Sequence, residues 1–220
     1  MIAGTKADTV IAIIEKIPLK DRNQVTEITL DMAANMGLIA KKCFPNATCV
    51  TDRFHVQKLA SEALQEIRIK YRWQAIDKEN EAIEKAKKNK KRFESEVLTN
   101  GDTLKQLLAR SRYFLYKNKS KWSKNQIQRT NLLFELYPDI QKAYNLTQEL
   151  RNVFEKTTDK IVGFAGLAKW HKKVNQSGLK SFNTISRLIM NHYQNILNYF
   201  DHRSTNALEK MKFINSFKNN

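Results

Sequence analysis

The sequence predicts a fold that opens as a small α/β unit and continues as helices, so that helix predominates overall. Three features carry this expectation. β-Branched Val25, Thr26, Ile28 and Thr29 favour a pleated backbone, Met32, Met36, Ile39, Ala40 and Cys43 then recur at helical spacing, and beyond Arg53 the apolar pattern is helical throughout.

The elements follow in order. Thr5 and Asp8 have the spacing of a capping box ahead of Val10, Ile13, Ile14 and Ile17, and Pro18 ends that first helix. A strand over 25–30, a helix over 32–43, a Phe44-Pro45-Asn46 turn and a second strand over 47–51 come next. Strand, helix, strand in this order implies a parallel pair joined by a right-handed crossover. Further on, three apolar stripes mark core-facing helices: Leu59, Ala63 and Ile67; then Ile140, Ala143, Tyr144, Thr147, Leu150 and Phe154; then Phe182, Ile185, Ile189, His192, Ile196 and Phe200. Asn100-Gly101, Pro138 and Ser177-Gly178 separate the helices. The chain divides by pattern into residues 1–52, a helical region over 53–200, and a final segment over 201–220.

Asp31 stands where the first strand gives way to a helix. Two readings apply: an N-cap that accepts a backbone N–H of the first turn, and a metal ligand at the carboxyl end of a strand, where ligands gather in α/β sheets. Asp52 also ends a strand and is the rival candidate.

With 39 Lys and Arg against 22 Asp and Glu, the chain carries a formal charge of +17, which points to a polyanionic partner such as nucleic acid. The opening residues have neither the long apolar run of a membrane span nor a signal-peptide pattern, so a cytoplasmic protein is expected. Cys43 and Cys49 lack the paired spacing of a zinc site and are expected as buried thiols. None of the four His residues has ligand spacing; His171 and His202 are expected at the surface, and His192 on an apolar stripe.

Two basic runs stand out. KAKKNKKR, residues 85–92, reads as a solvated helix face or a loop. KNKSKWSK, residues 117–124, sets Lys117, Lys119, Lys121 and Lys124 around Trp122 and follows Arg110, Arg112, Tyr113 and Tyr116. Lysines interleaved with aromatic rings suit phosphate neutralisation with base stacking. For Trp122 the alternative is packing within the helical core.

The runs VTEITLDMAANM, CFPNA, TDRFHVQKLASEALQEIRIKYRW, NGDTLKQLLARSRYFL and ILNYFDHRSTNA together resemble a transposase of bacterial insertion sequences, of the ISL-three family. The similarity covers nearly the whole chain up to Ala207, and DRFHV and RSTNA are its most specific segments. It implies a DDE enzyme: an RNase H-like sheet, here partial, interrupted by a helical insertion, that cuts and joins DNA with Mg²⁺ or Mn²⁺. Asp31 then corresponds to the second acid of the triad and a metal ligand. Asp52 is ancillary, with Arg53 and His55 at phosphate or behind the site. Arg53, His55, Arg110, Arg112, Lys117, Lys119, Lys121, Trp122, Lys124 and Arg203 form the candidate DNA-binding set, with transposon ends as the expected partner and a second copy or a full-length transposase as a further one.

The sequence departs from the family pattern at both ends. The first acid of the triad lies on a strand upstream of anything matched here. After Ser204-Thr205-Asn206-Ala207 the family places Glu three residues beyond Ala, whereas Glu209 comes one position early. One residue turns a helical side chain by about 100°, which makes Glu209 a doubtful third acid. The tail KMKFINSFKNN does not resemble the family, as a frameshift near residue 208 would produce. The expectation is a fragment of a DDE transposase, inactive alone, with a non-catalytic DNA-binding remnant that interferes with a full-length transposase as the alternative.

Overall fold

The computed structural model describes residues 6–203, so Thr5 of the expected capping box and Glu209 lie outside the described residues. Helix α1, Ala7–Ile14, starts after Lys6, whose side chain makes no cap hydrogen bond. The short α2, Leu19–Arg22, leads to β1, Glu27–Leu30; α3, Ala34–Cys43, crosses to β2, Thr48–Thr51. The two strands pair in parallel, with Glu27 opposite Thr48 and Leu30 opposite Thr51. Both are shorter than the β-branched runs suggested, and α3 begins two residues late. The reason for the late start is local: Asp31 Oδ1 accepts the Ala33 N–H at 3.0 Å, a turn that holds residues 31–33 out of the helix.

The remaining elements are helical. They are α4, Arg53–Lys88; α5, Leu104–Ser111; a 3₁₀ turn, Lys119–Lys121; α6, Lys124–Leu136; α7, Pro138–Lys156; α8, Lys160–Ser177; α9, Lys180–Asn191; α10, Tyr193–Leu197; and α11, Tyr199–His202. The chain is therefore predominantly helical with a small two-stranded parallel sheet. Pro138 opens α7, where its missing N–H costs nothing, and Gly101 and Gly178 take positive φ at two of the expected breaks. The last apolar stripe is interrupted at His192 and Asn198, so one expected run becomes α9, α10 and α11.

The chain forms two compact units. Among the described residues, one gathers 6–59 with Arg151–Lys172 and 184–203; the other comprises Ala60–Leu150 and Lys173–Asn183. The helices of 53–200 thus contribute to both.

In the first unit α1 packs on α3, where Ile11, Ile39 and Cys43 are buried and Ala7, Val10, Ile14 and Phe44 close around them. Arg22 ties this layer down by donating from Nη1 to the Cys43 carbonyl at the end of α3 and from Nε to the Ile17 carbonyl. Helix α10 packs on β2, and Asn198 Nδ2 donates to the Cys49 carbonyl at 2.9 Å. Phe154 stacks on Phe200 at 5.9 Å, and Gly163 lets that ring come close: a Cβ there would sit 2.6 Å from a Phe200 ring carbon. Both thiols are free, Cys43 buried and Cys49 half-buried; burial pushes both thiol pKa values up.

In the second unit every member of the α7 stripe that lies in it, Ile140 to Leu150, is buried as expected. On α4 the buried stripe is Ala60, Ala63 and Leu64, one step round from the expected one, because small side chains admit α7 closely. Thr147 Oγ1 reaches the Ala60 carbonyl at 3.3 Å. Among the described residues no helix is long and apolar enough to cross a membrane.

Candidate metal centre and nucleic-acid interface

The strand register decides what surrounds Asp31. Leu30 and Thr51 are the last paired residues, and the ladder continues with the Asp52 N–H donating to the Leu30 carbonyl at 3.0 Å. Asp31 and Asp52 are consequently the next residue on each strand, side by side at the carboxyl end of a parallel pair. Neighbouring strands lie about 4.8 Å apart, so two carboxylates share one edge. Each spends one oxygen on its own turn: Asp31 Oδ1 on the Ala33 N–H, Asp52 Oδ1 on the Phe54 N–H at 2.9 Å. Asp52 is also the residue before α4, whose first turn uses its carbonyl. The N-cap of α3 is Ala33 and not Asp31, whereas Asp52 caps α4; the side-chain bond of each acid is made by Oδ1. Asp52 is 4% exposed and Asp31 half-buried.

The donor set is hard oxygen, which fits Mg²⁺ or Mn²⁺ completed by water. Two carboxylates fit one such ion in part; among the described residues no group of three or more His, Cys, Asp or Glu is placed to hold a metal.

Arg53 follows Asp52 directly. Its guanidinium lies 4.9 Å from the Phe54 ring centre and 5.8 Å from that of Tyr199, and its Nε is buried with no acceptor. It lines a cavity of about 200 Å³ with Phe54, Gln57, Arg151, Phe154 and Glu155. His55 is half-buried on the first turn of α4. Arg203 serves the fold: it donates to the Phe154 and Thr157 carbonyls at 2.8 and 3.2 Å, at the C-terminus of α7, where a cation is favourable. His171 is not at the surface as expected; it is half-buried, with Nδ1 2.6 Å from Ser186 Oγ. His202 is exposed and His192 half-buried.

In the second unit the basic run separates into two roles. Trp122 belongs to the core: 8% exposed, it donates Nε1–H to the Phe114 carbonyl at 2.8 Å and packs against Tyr144 at 5.1 Å. Arg110 pairs with Asp102, which also takes Arg129 Nε at 2.7 Å, so one buried carboxylate holds two guanidinium groups. Lys119, Lys121 and Lys124 stay exposed, Lys117 half-buried. The aromatic rings on this surface are Tyr113, 61% exposed, and Tyr116, 53% exposed. Arg112 lies 5.7 Å from the Tyr113 ring centre and Lys117 Nζ 5.9 Å from that of Tyr116. Arg129 carries no local sequence signal that would single it out.

Two acids follow the paired strands, and the helical surface of the second unit is basic and carries two exposed tyrosines. The chain matches the ISL3 DDE transposase family over residues 1–209, and it belongs to that transposase family. Comparison with curated proteins and with solved structures gave no match. Divalent-metal dependence is a general expectation for such transposases, and DNA is the partner the family implies.

Proposed function

We propose that this chain is part of the catalytic region of a DDE transposase, in which its strand–helix–strand unit belongs to an RNase H-like sheet. The observation that carries the reading is the register that sets Asp31 beside Asp52. Asp31 and Asp52 would hold a divalent ion through their carboxylate oxygens, and when bound that ion supplies charge for in-line phosphoryl transfer on DNA. Asp31 is the principal ligand and Asp52 the ancillary one; Arg53, with its unmet buried donor, is suited to an anionic phosphate nearby. Glu209, the doubtful third acid, lies outside the described residues.

Two carboxylates do not complete a two-metal site, so the chain alone is expected not to cleave DNA. Titration with Mn²⁺, followed by its paramagnetic signal, should show weak binding that Asp31→Asn and Asp52→Asn each reduce about tenfold or more, as loss of a hard ligand implies. Binding unchanged in both variants would sink the assignment. Cleavage of DNA by the chain alone, lost in Asp31→Ala, would overturn the inactivity.

The second reading, a non-catalytic DNA-binding protein that interferes with a full-length transposase, is favoured by the surface formed by Arg112, Tyr113, Tyr116, Lys117, Lys119, Lys121 and Lys124, which uses neither acid. Interference that survives in the Asp31→Asn, Asp52→Asn double variant would support it.

A further inference from the structure

One face of α4 carries an apolar stripe that the transposase reading does not use. Ile69, Trp73, Ile76, Asn80 and Ile83 follow one another at spacings of four, three, four and three, the repeat of a helix seam that packs against another helix. Trp73 is 60% exposed and Ile69 41%; Ile76 and Ile83 are half-buried. One turn apart on the helix, Trp73 and Ile69 present adjoining exposed apolar surface.

We propose that this stripe packs against the same stripe of a second copy of the chain, antiparallel. The charges beside the seam select both partner and direction. Lys70 and Arg72 flank its first half, Asp77 and Glu84 its second, and all four are exposed. With Trp73 set opposite the partner's Ile76, antiparallel pairing brings Lys70 to the partner's Asp77 and Arg72 to the partner's Glu79, each twice by symmetry, with no like charges meeting along those edges. Glu79 is already held by Lys105 and Ser95, so Lys70 and Asp77 are the decisive pair. Parallel pairing in register would keep one attractive pair, Arg72 with the partner's Asp77, but would set Glu79 against the partner's Glu84 and Trp73 against the partner's Trp73, and would leave Lys70 facing an uncharged Gln65. From Ile69 to Ile83 the seam runs about 21 Å, four turns of helix. Asn80 falls opposite the partner's Ile69 at the seam's end, where its amide stays in water. Both charge pairs form, and no like charges meet, only when one copy is reversed; the interface is then two-fold and isologous.

The test uses the full chain, freed of nucleic acid, in low-salt buffer without DNA, so its outcome is independent of the transposase reading. Sedimentation equilibrium over a concentration series should show a monomer–dimer equilibrium. Trp73→Glu should leave only monomer with an unchanged circular dichroism spectrum, since the side chain is exposed and its loss opens no cavity. Lys70→Glu should weaken the dimer by roughly three- to tenfold through two broken surface pairs. Adding Asp77→Lys to the same chain should restore it. A monomer at every concentration overturns the proposal, as does a dimer indifferent to Trp73→Glu. A dimer that Lys70→Glu does not weaken, or that Asp77→Lys does not rescue, overturns the antiparallel arrangement.

Discussion

Asp102 shows how much one side chain can hold. It sits 1% exposed in the loop before α5, accepts from Arg110, Arg129 and Asn100, and its carbonyl receives the Leu98 N–H. Removing a buried partner leaves charges unpaired, but Arg110 and Arg129 are 49% and 26% exposed and regain water. Asp102→Ala is therefore expected to cost about 2–4 kcal/mol, somewhat less than a fully buried pair, measured by urea unfolding. The same network answers why Arg110 looked like a DNA contact in the sequence. A lone arginine near a basic run carries no sign of the carboxylate eight residues away that will claim it. Arg203 and Trp122 repeat the point, since their partners, the end of α7 and the Phe114 carbonyl, are supplied by packing.

At the scale of elements, α4 and α5 are joined by Glu79 and Lys105. The Lys105 hydrogen bond, helped by Ser95, holds the Glu79 carboxyl below its ordinary value against a smaller opposing effect of burial. A depressed folded-state pKa contributes stability that is present above the unfolded pKa, near 4.5, and is lost as pH falls through the folded value. Unfolding free energy measured against pH should therefore fall less steeply on the acid side in Glu79→Gln than in the parent chain. An equal slope would show that the contact is not maintained in solution. The helix stripes themselves were legible: residues 140–150 and 182–189 follow the spacing read from sequence. The strand ends were less so, because the turn made by Asp31 competes with the helix for the same three residues.

For the whole molecule, the charge of +17 favours a polyanionic partner. Exposed Lys119, Lys121 and Lys124 should neutralise phosphates while Tyr113 and Tyr116 stack on bases. Replacing the three lysines by Gln is expected to lower the dependence of log affinity on log salt by about 0.9 for each duplex phosphate no longer neutralised, read from binding isotherms at several salt concentrations. Tyr113→Ala with Tyr116→Ala should instead weaken single-stranded DNA more than duplex and leave that slope unchanged. An affinity flat with salt would remove this surface from the interface.

The sequence by itself determined the small α/β opening, the helical remainder, the acid at the end of each strand and the basic character. These are local properties, written in the period of apolar side chains and in which residues favour strand, turn or helix. Only the tertiary structure decided that the two acids stand side by side, that Trp122 lies inside while Tyr113 and Tyr116 lie outside, and that Arg110 and Arg203 are bound to the fold. The physical reason is that a side chain's exposure and its ionic or hydrogen-bond partner depend on groups distant in the chain, and no local pattern encodes which of them packing will bring near.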